Sequence, residues 1–240
     1  MTTPDLDVLH LDDHLLVLNK PSGLLVHRGW GRDDVTLIDL VKDHLDAPTA
    51  YPIHRLDRPT SGVVLFARDP QTARLLNDAF DDRRPHKTYL ALVRGASPPD
   101  GTIDHPIPRR EDGPRVPALS RYRTLITLHT EPRHTSLVEV HPETGRLHQV
   151  RRHLKHIHHP LIGDSNYGKG RLNRAFAERY GLQRLALHAA ALTLTHPATG
   201  DPAAFTAPLP PDLLRPLALM GLPLPDACSL AQLHAQLRAD

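Results

Sequence analysis

The sequence predicts an α+β fold: a largely antiparallel mixed sheet flanked by helices and loops. Three observations predict it. Apolar runs of strand length are bounded by polar turn residues, segments with helical spacing lie between some of them, and several connections are short enough to be hairpins. No internal repeat or flexible linker interrupts the chain, so a single domain is predicted over residues 1–240.

The elements follow in order. VLHLDDHLLVLNK reads as two strands joined at Asp12-Asp13, and Lys20-Pro21-Ser22-Gly23 breaks the second. TLIDLVKDHL (36–45) has its apolar residues at helical spacing, and GVVLFAR (62–68) is a continuous apolar strand. Asp69-Pro70 caps a helix through LLNDAF, and the next strand covers Thr88 to Val93. Residues 95–118 are too rich in Pro, Gly and charge for regular structure, and read as a loop able to touch a substrate. Strands follow around RYRTLITLHT and TSLVEVHP, then a helix beginning near Arg146 and running toward His158. A strand over 184–195 and the segment APLPPDLLRPLAL close the fold. Cys228, at the start of an amphipathic C-terminal helix, reads as a small buried residue.

Composition narrows the function. With 40% hydrophobic and 23% charged residues, no apolar run of membrane-spanning length and no secretory signal in MTTPDLD, the chain reads as a soluble cytoplasmic protein. One cysteine supports neither a disulfide nor a Cys-based zinc site. Net charge is only +2, but it is unevenly placed. Residues 1–50 hold nine Asp against four Lys/Arg, whereas residues 145–184 hold nine Lys/Arg against two acids. Such a basic region suits a polyanion. Of the 29 basic residues 24 are arginine, whose planar fork matches phosphate; biased composition accounts for part of that ratio but not for the clustering.

Two segments carry the candidate chemistry. In HRLDRPTSG (54–62), Pro59 steers Arg58 away from helical geometry and Gly62 permits a tight turn, which places Asp57 on a rigid loop at a strand edge. By itself this is an Asx-type turn with a surface ion pair, worth ~0–1 kcal/mol. The second segment is GRLHQVRRHLKHIHHP (145–160). On a helix, His148, Arg151, Arg152 and Lys155 share a face, while Leu147, Val150 and Leu154 make the apolar stripe. That face is solvated surface unless it lies beside a carboxylate in a cleft, where an arginine would compensate the buried charge. The five histidines at 148, 153, 156, 158 and 159 raise a metal-dependent hydrolase as an alternative. No His-Glu-x-x-His pattern occurs, and Arg146, Arg151, Arg152 and Lys155 would repel a divalent ion, so no metal is predicted. Ser61 lacks a G-x-S-x-G elbow. Tyr89, one of ten aromatic residues, is a core filler or a ring for a nucleobase to stack on.

KPSGL (20–24), HRLDRPTSG (54–62), KTY (87–89), GRLHQVRRHL (145–154), HPLIGDSNYG (159–168) and LALHAAALTLTHPATGDPAAFTAPLP (185–210) occur in the order that characterises the RluA-type pseudouridine synthases, and over residues 8–210 the chain resembles that family. LLVHRGWGRDD, RRHLKHIHHPLIGDS and NRAFAERYGLQRLALHA, with Trp30 and Asn173, resemble its TruC-type subgroup, which modifies uridine 65 of tRNA. No S4-like domain precedes KPSGL, so the chain resembles the catalytic core alone. Leu147 stands where the subgroup more often has Lys, and the 95–118 loop differs in length.

The resemblance implies that Asp57 is the nucleophile or base, that Tyr89 stacks on the target uracil, and that Arg151 pairs with Asp57. Arg55 would fill the space left by the flipped base, and Leu187 would form an apolar wall. Lys20 and Pro21 support the site, and Lys20, Arg146 and His148 fall on the substrate-binding side. The reaction moves the glycosidic bond from the ring nitrogen to carbon 5 without net redox change, so no cofactor is implied. It needs an extruded base, a carboxylate beside the ribose and exclusion of water. Asp57 would attack the anomeric carbon or remove the neighbouring ribose proton. The partner implied is RNA, tRNA foremost, with no membrane and no obligatory protein partner. Ribosomal 23S RNA and a non-catalytic RNA-binding module are the alternatives.

Overall fold

The computed structural model describes residues 6–28, 35–109, 113–225 and 228–239. The Trp30 segment, and residues 110–112 of the Pro-rich stretch, lie outside them. The chain divides into two compact units, Met1–Pro85 with Ala191–Ala207, and His86–Ala190 with Pro208–Asp240.

The first unit opens with the hairpin β1 (Val8–Leu11) and β2 (Leu15–Lys20). Asp12 makes the turn, its Oδ1 accepting from the backbone N–H of His14 and Leu15 at 2.8 Å each. Helix α1 (Leu37–Leu45) starts at a capping box between Thr36 and Asp39. The short β3 (Tyr51–Pro52) and β4 (Ser61–Ala67) follow, β4 pairing with both β2 and β3. Every residue of β4 is buried, which is why it reads as one apolar run. Asp69 caps α2 (Pro70–Asp81), accepting from Thr72 N–H at 2.8 Å.

The second unit is built on the antiparallel order β5-β10-β9-β6, comprising β5 (His86–Arg94), β6 (Asp100–Asp104), β9 (Leu119–Leu128) and β10 (Thr135–Pro142). The two-residue strands β7 (Ile107–Pro108) and β8 (Arg115–Val116) pair with each other. Strand alternation divides the core. Ala91, Val93, Val138 and Val140 pack with Val150 and Leu154 of α3 (Gln149–His156), whereas Leu90, Leu92 and Leu137 pack with Phe176 of α4 (Gly170–Tyr180). Strand β11 (Leu187–Thr195) contributes residues to both units, and β12 (Pro202–Thr206) pairs with its last five residues within the first. Helices α5 (Pro211–Leu219) and α6 (Leu230–Ala239) add Leu213, Leu217 and Leu233 to the cluster around Phe176, where Cys228 is also fully buried. None of the described helices is long and apolar enough to cross a membrane.

The mixed fold and the hairpins agree with the sequence reading; three details differ. The 95–118 stretch contains the strand β6, whose one buried residue is Ile103, as well as the two-residue pair β7 and β8. A single inward side chain is too little pattern to announce a strand. Gly101 is required there, because a Cβ would lie 2.8 Å from the Tyr122 ring. Helix α3 begins at Gln149 rather than near Arg146, because His148 is in the left-handed region (φ 53°) and cannot continue a helix. Helix α4 was not foreseen as an element, although Leu172, Phe176 and Tyr180 recur every four residues and Gly181 ends it with φ 70°.

Candidate active site

In the first unit the chain leaves β3 and re-enters the sheet at β4, and HRLDRPTSG spans most of the connecting loop and the first two residues of β4. Leu56 anchors it, 4% exposed; Asp57 is half-buried, and Arg55 and Arg58 are exposed. The turn closes where Thr60 N–H donates to the Asp57 carbonyl at 3.0 Å. KPSGL is the clamp on this loop. Lys20 is fully buried, and its ammonium donates to the carbonyls of Pro21 and Leu24 at 2.8 Å and of Arg58 at 3.3 Å. Ser22 Oγ donates to the Pro59 carbonyl at 2.8 Å, and Gly23 N–H to the Arg58 carbonyl at 2.8 Å. Gly23 has φ 90°, a conformation that glycine adopts without strain. Arg55 Nη1 lies 2.9 Å from His27 Nε2; burial and then the Arg55 charge push the His27 pKa down.

In the second unit, Thr144 to His148 make a tight turn tied down by Gln149. Its side-chain oxygen accepts from Thr144 Oγ1 (2.6 Å) and Arg146 N–H (3.0 Å), and its amide donates to the Leu119 carbonyl (2.9 Å) and Ser120 Oγ (3.0 Å). Lys87, on β5, comes close beneath this turn: a Cβ added to Gly145 would lie 3.9 Å from its ammonium, and burial lowers the lysine pKa. The half-buried Arg146 points its Nε at the Pro117 carbonyl, 3.4 Å away.

From α3, Arg151 reaches a carboxylate that sequence reasoning did not name. Its Nε and Nη2 donate to Asp164 Oδ2 and Oδ1, both at 2.8 Å, with the two side chains 4% and 0% exposed. Asp164 Oδ1 also accepts from Asn166 and Tyr167 N–H at 2.9 and 3.0 Å. Burial opposes its ionisation, but the Arg151 guanidinium and these N–H groups outweigh it and hold the pKa below the usual carboxylate value. Asn173 braces the turn from α4, accepting from Gly163 N–H at 3.0 Å and donating to the Asp164 carbonyl at 2.9 Å. Tyr167 then faces α3: its hydroxyl accepts from Arg152 Nε at 2.7 Å and lies 2.9 Å from His148 Nδ1.

Three histidines of this segment make structural contacts. His153 is fully buried between Ser120 Oγ (2.9 Å) and the His105 carbonyl (3.0 Å), His156 stacks on His105 at 3.7 Å, and His159 Nδ1 meets the Arg94 carbonyl at 2.8 Å. Tyr89 is half-buried on β5 opposite Val140 of β10, and Leu187 is 3% exposed at the start of β11 in the cluster around Val140 and Leu154.

Residues 14–156 match the model of a family described as RNA pseudouridylate synthase. The chain belongs to that family. The synthase is 40% identical to a tRNA pseudouridine synthase C of Yersinia pestis, over 84% of this chain and 86% of that relative. It is 41% identical to a ribosomal large subunit pseudouridine synthase D of Xanthomonas campestris pv. campestris, over 88% of this chain and 68% of that one. A solved structure, human RNA pseudouridylate synthase domain containing 1, superposes with a TM-score of 0.73 at 27% identity, covering 100% of this chain and 98% of that one. The reaction of this synthase is the isomerisation of uridine to pseudouridine in RNA.

Sequence reasoning missed Gln149, Asp164, Tyr167 and Asn173 as site-building residues. Asp164 had a signal: D-S-N-Y-G is an Asx-turn composition following an apolar strand-like Leu161-Ile162. What the turn would hold was not legible, because Arg151 lies 13 residues away and the pairing is tertiary.

Proposed function

We propose that the synthase acts on tRNA, at uridine 65, with Asp57 as the group that reacts at the ribose. The observation that carries this reading is the likeness to the tRNA pseudouridine synthase C of Yersinia pestis across 84% of the chain. The two compact units then work as one catalytic domain in the cytoplasm, needing no cofactor, metal or obligatory protein partner. The clamped 54–62 loop supports Asp57 as a fixed group: its carbonyls are bonded to Lys20, Ser22 and Gly23, so the carboxylate moves little when RNA arrives.

In this reading Tyr89 stacks on the extruded uracil, Leu187 closes the apolar side of the pocket, and Arg55 takes the place the base has left. Arg151 compensates the Asp57 charge once water is excluded, since an unpaired buried carboxylate costs ~3–5 kcal/mol. Its guanidinium is already oriented by Asp164 through one edge. Lys20 supports the loop, and Arg146 and His148 contact the RNA. With the uracil held, Asp57 attacks the anomeric carbon or removes the neighbouring ribose proton; the base detaches, turns and rejoins through carbon 5.

A second reading, 23S ribosomal RNA as substrate, is favoured by the 41% identity to the Xanthomonas ribosomal enzyme. The test is to incubate purified protein with unmodified tRNA and, separately, with 23S RNA transcripts, and to map pseudouridine. The proposal expects a single modified uridine at position 65 of tRNA. Modification confined to ribosomal RNA would overturn the tRNA assignment.

A further inference from the structure

We propose that Arg152, Lys155 and Tyr167 form a built subsite for an RNA phosphodiester. This deepens the reading of the protein as an RNA-modifying enzyme and rests on it.

Three cations gather around one ring. The guanidinium carbons of Arg151 and Arg152 and the ammonium of Lys155 lie 5.1, 5.3 and 5.6 Å from the Tyr167 centroid. Like charges this close repel, and the carboxylate of Asp164, three residues before Tyr167, is committed to Arg151 through two hydrogen bonds. Arg152 and Lys155 therefore carry positive charge that no acidic side chain balances: among the described residues neither has a carboxylate within ion-pair distance.

Arg152 is also oriented. It is half-buried, and its Nε donates to the Tyr167 hydroxyl at 2.7 Å, while Nη1 and Nη2 make no hydrogen bond among the described residues. A guanidinium fixed through Nε with both terminal nitrogens available is a planar fork, and that fork matches two oxygens of a phosphodiester. Tyr167 is fixed in turn, because Asp164 Oδ1 accepts from its backbone N–H and Asn173 braces the same turn. Lys155 is exposed and supplies a second charge. A solvated helix face needs none of this orientation; an anion that must be met in one register does.

The test is the affinity for an unmodified tRNA transcript as a function of salt. Each phosphate contact contributes about 0.7–0.9 to the slope of log affinity against log salt. Arg152→Gln is expected to reduce the slope by about that amount and to weaken binding about tenfold at low salt. Arg152→Lys keeps the charge and loses the fork, so the slope stays near wild type while affinity falls. Tyr167→Phe keeps the ring but frees the guanidinium, with the same expected pattern. Arg215→Gln, an exposed cation on α5, serves as the control and leaves both unchanged. Wild-type slope and affinity in Arg152→Gln, with an unchanged melting temperature, would overturn the subsite. Absence of pseudouridine formation by the wild-type protein on any RNA would instead overturn the functional reading, whatever Arg152 does.

Discussion

Arg151 and Asp164 show how a side chain that looks like helix surface in the sequence becomes part of the interior. An arginine side chain 4% exposed needs its charge compensated, and Asp164 supplies a carboxylate in bidentate contact. Asp164→Asn keeps an oxygen for the Asn166 and Tyr167 N–H groups but removes the charge opposite Arg151. It should cost about 3 kcal/mol, read as a shift in the urea midpoint at pH 7. The pH dependence has a definite sign. Against the cost of burial, the Arg151 guanidinium and the Asn166 and Tyr167 N–H groups hold the folded-state pKa of Asp164 below the ordinary carboxylate value, so its stabilisation is complete above that ordinary value and is lost as pH falls through the folded pKa. The wild-type midpoint should therefore fall more steeply below pH 4 than that of Asp164→Asn; parallel curves would mean that the pair carries no linked stability.

At the level of elements, long apolar patterns were legible and short or tertiary ones were not. Strand β4 is buried at every position, and α1 and α2 carry their own caps, so local chemistry announces all three. Strand β6 has one inward residue and exists because β9 offers it an edge. The site divides in the same way. HRLDRPTSG was legible as a rigid loop from its own proline and glycine, whereas the clamp from Lys20 depends on a contact 38 residues away. Lys20→Met retains much of the apolar stem but leaves the Pro21, Leu24 and Arg58 carbonyls without their ammonium donor. The expected result is a loss of about 3 kcal/mol together with a fall in turnover. Gly163 is a backbone requirement of the Asp164 turn: φ is 78°, and an added Cβ would lie 1.9 Å from the Arg184 carbonyl oxygen. Gly163→Ala should lower the melting temperature by at least about 5 °C; a smaller change would show that the turn yields without disturbing its neighbours.

For the whole molecule, a net charge of +2 conceals a basic segment over residues 145–184, and that asymmetry was visible from the sequence. Family membership was legible too, because six motifs in order constrain far more than any one loop. The assignment of individual roles needs chemistry on RNA, and Asp57 is the residue on which the account turns. The most direct measurement is single-turnover tritium release from carbon 5 of labelled uridine in tRNA, comparing wild type with Asp57→Asn at protein concentrations where both bind RNA. Release by wild type and none by Asp57→Asn is the expected result; substantial release by the variant would rule out Asp57 as the reacting group.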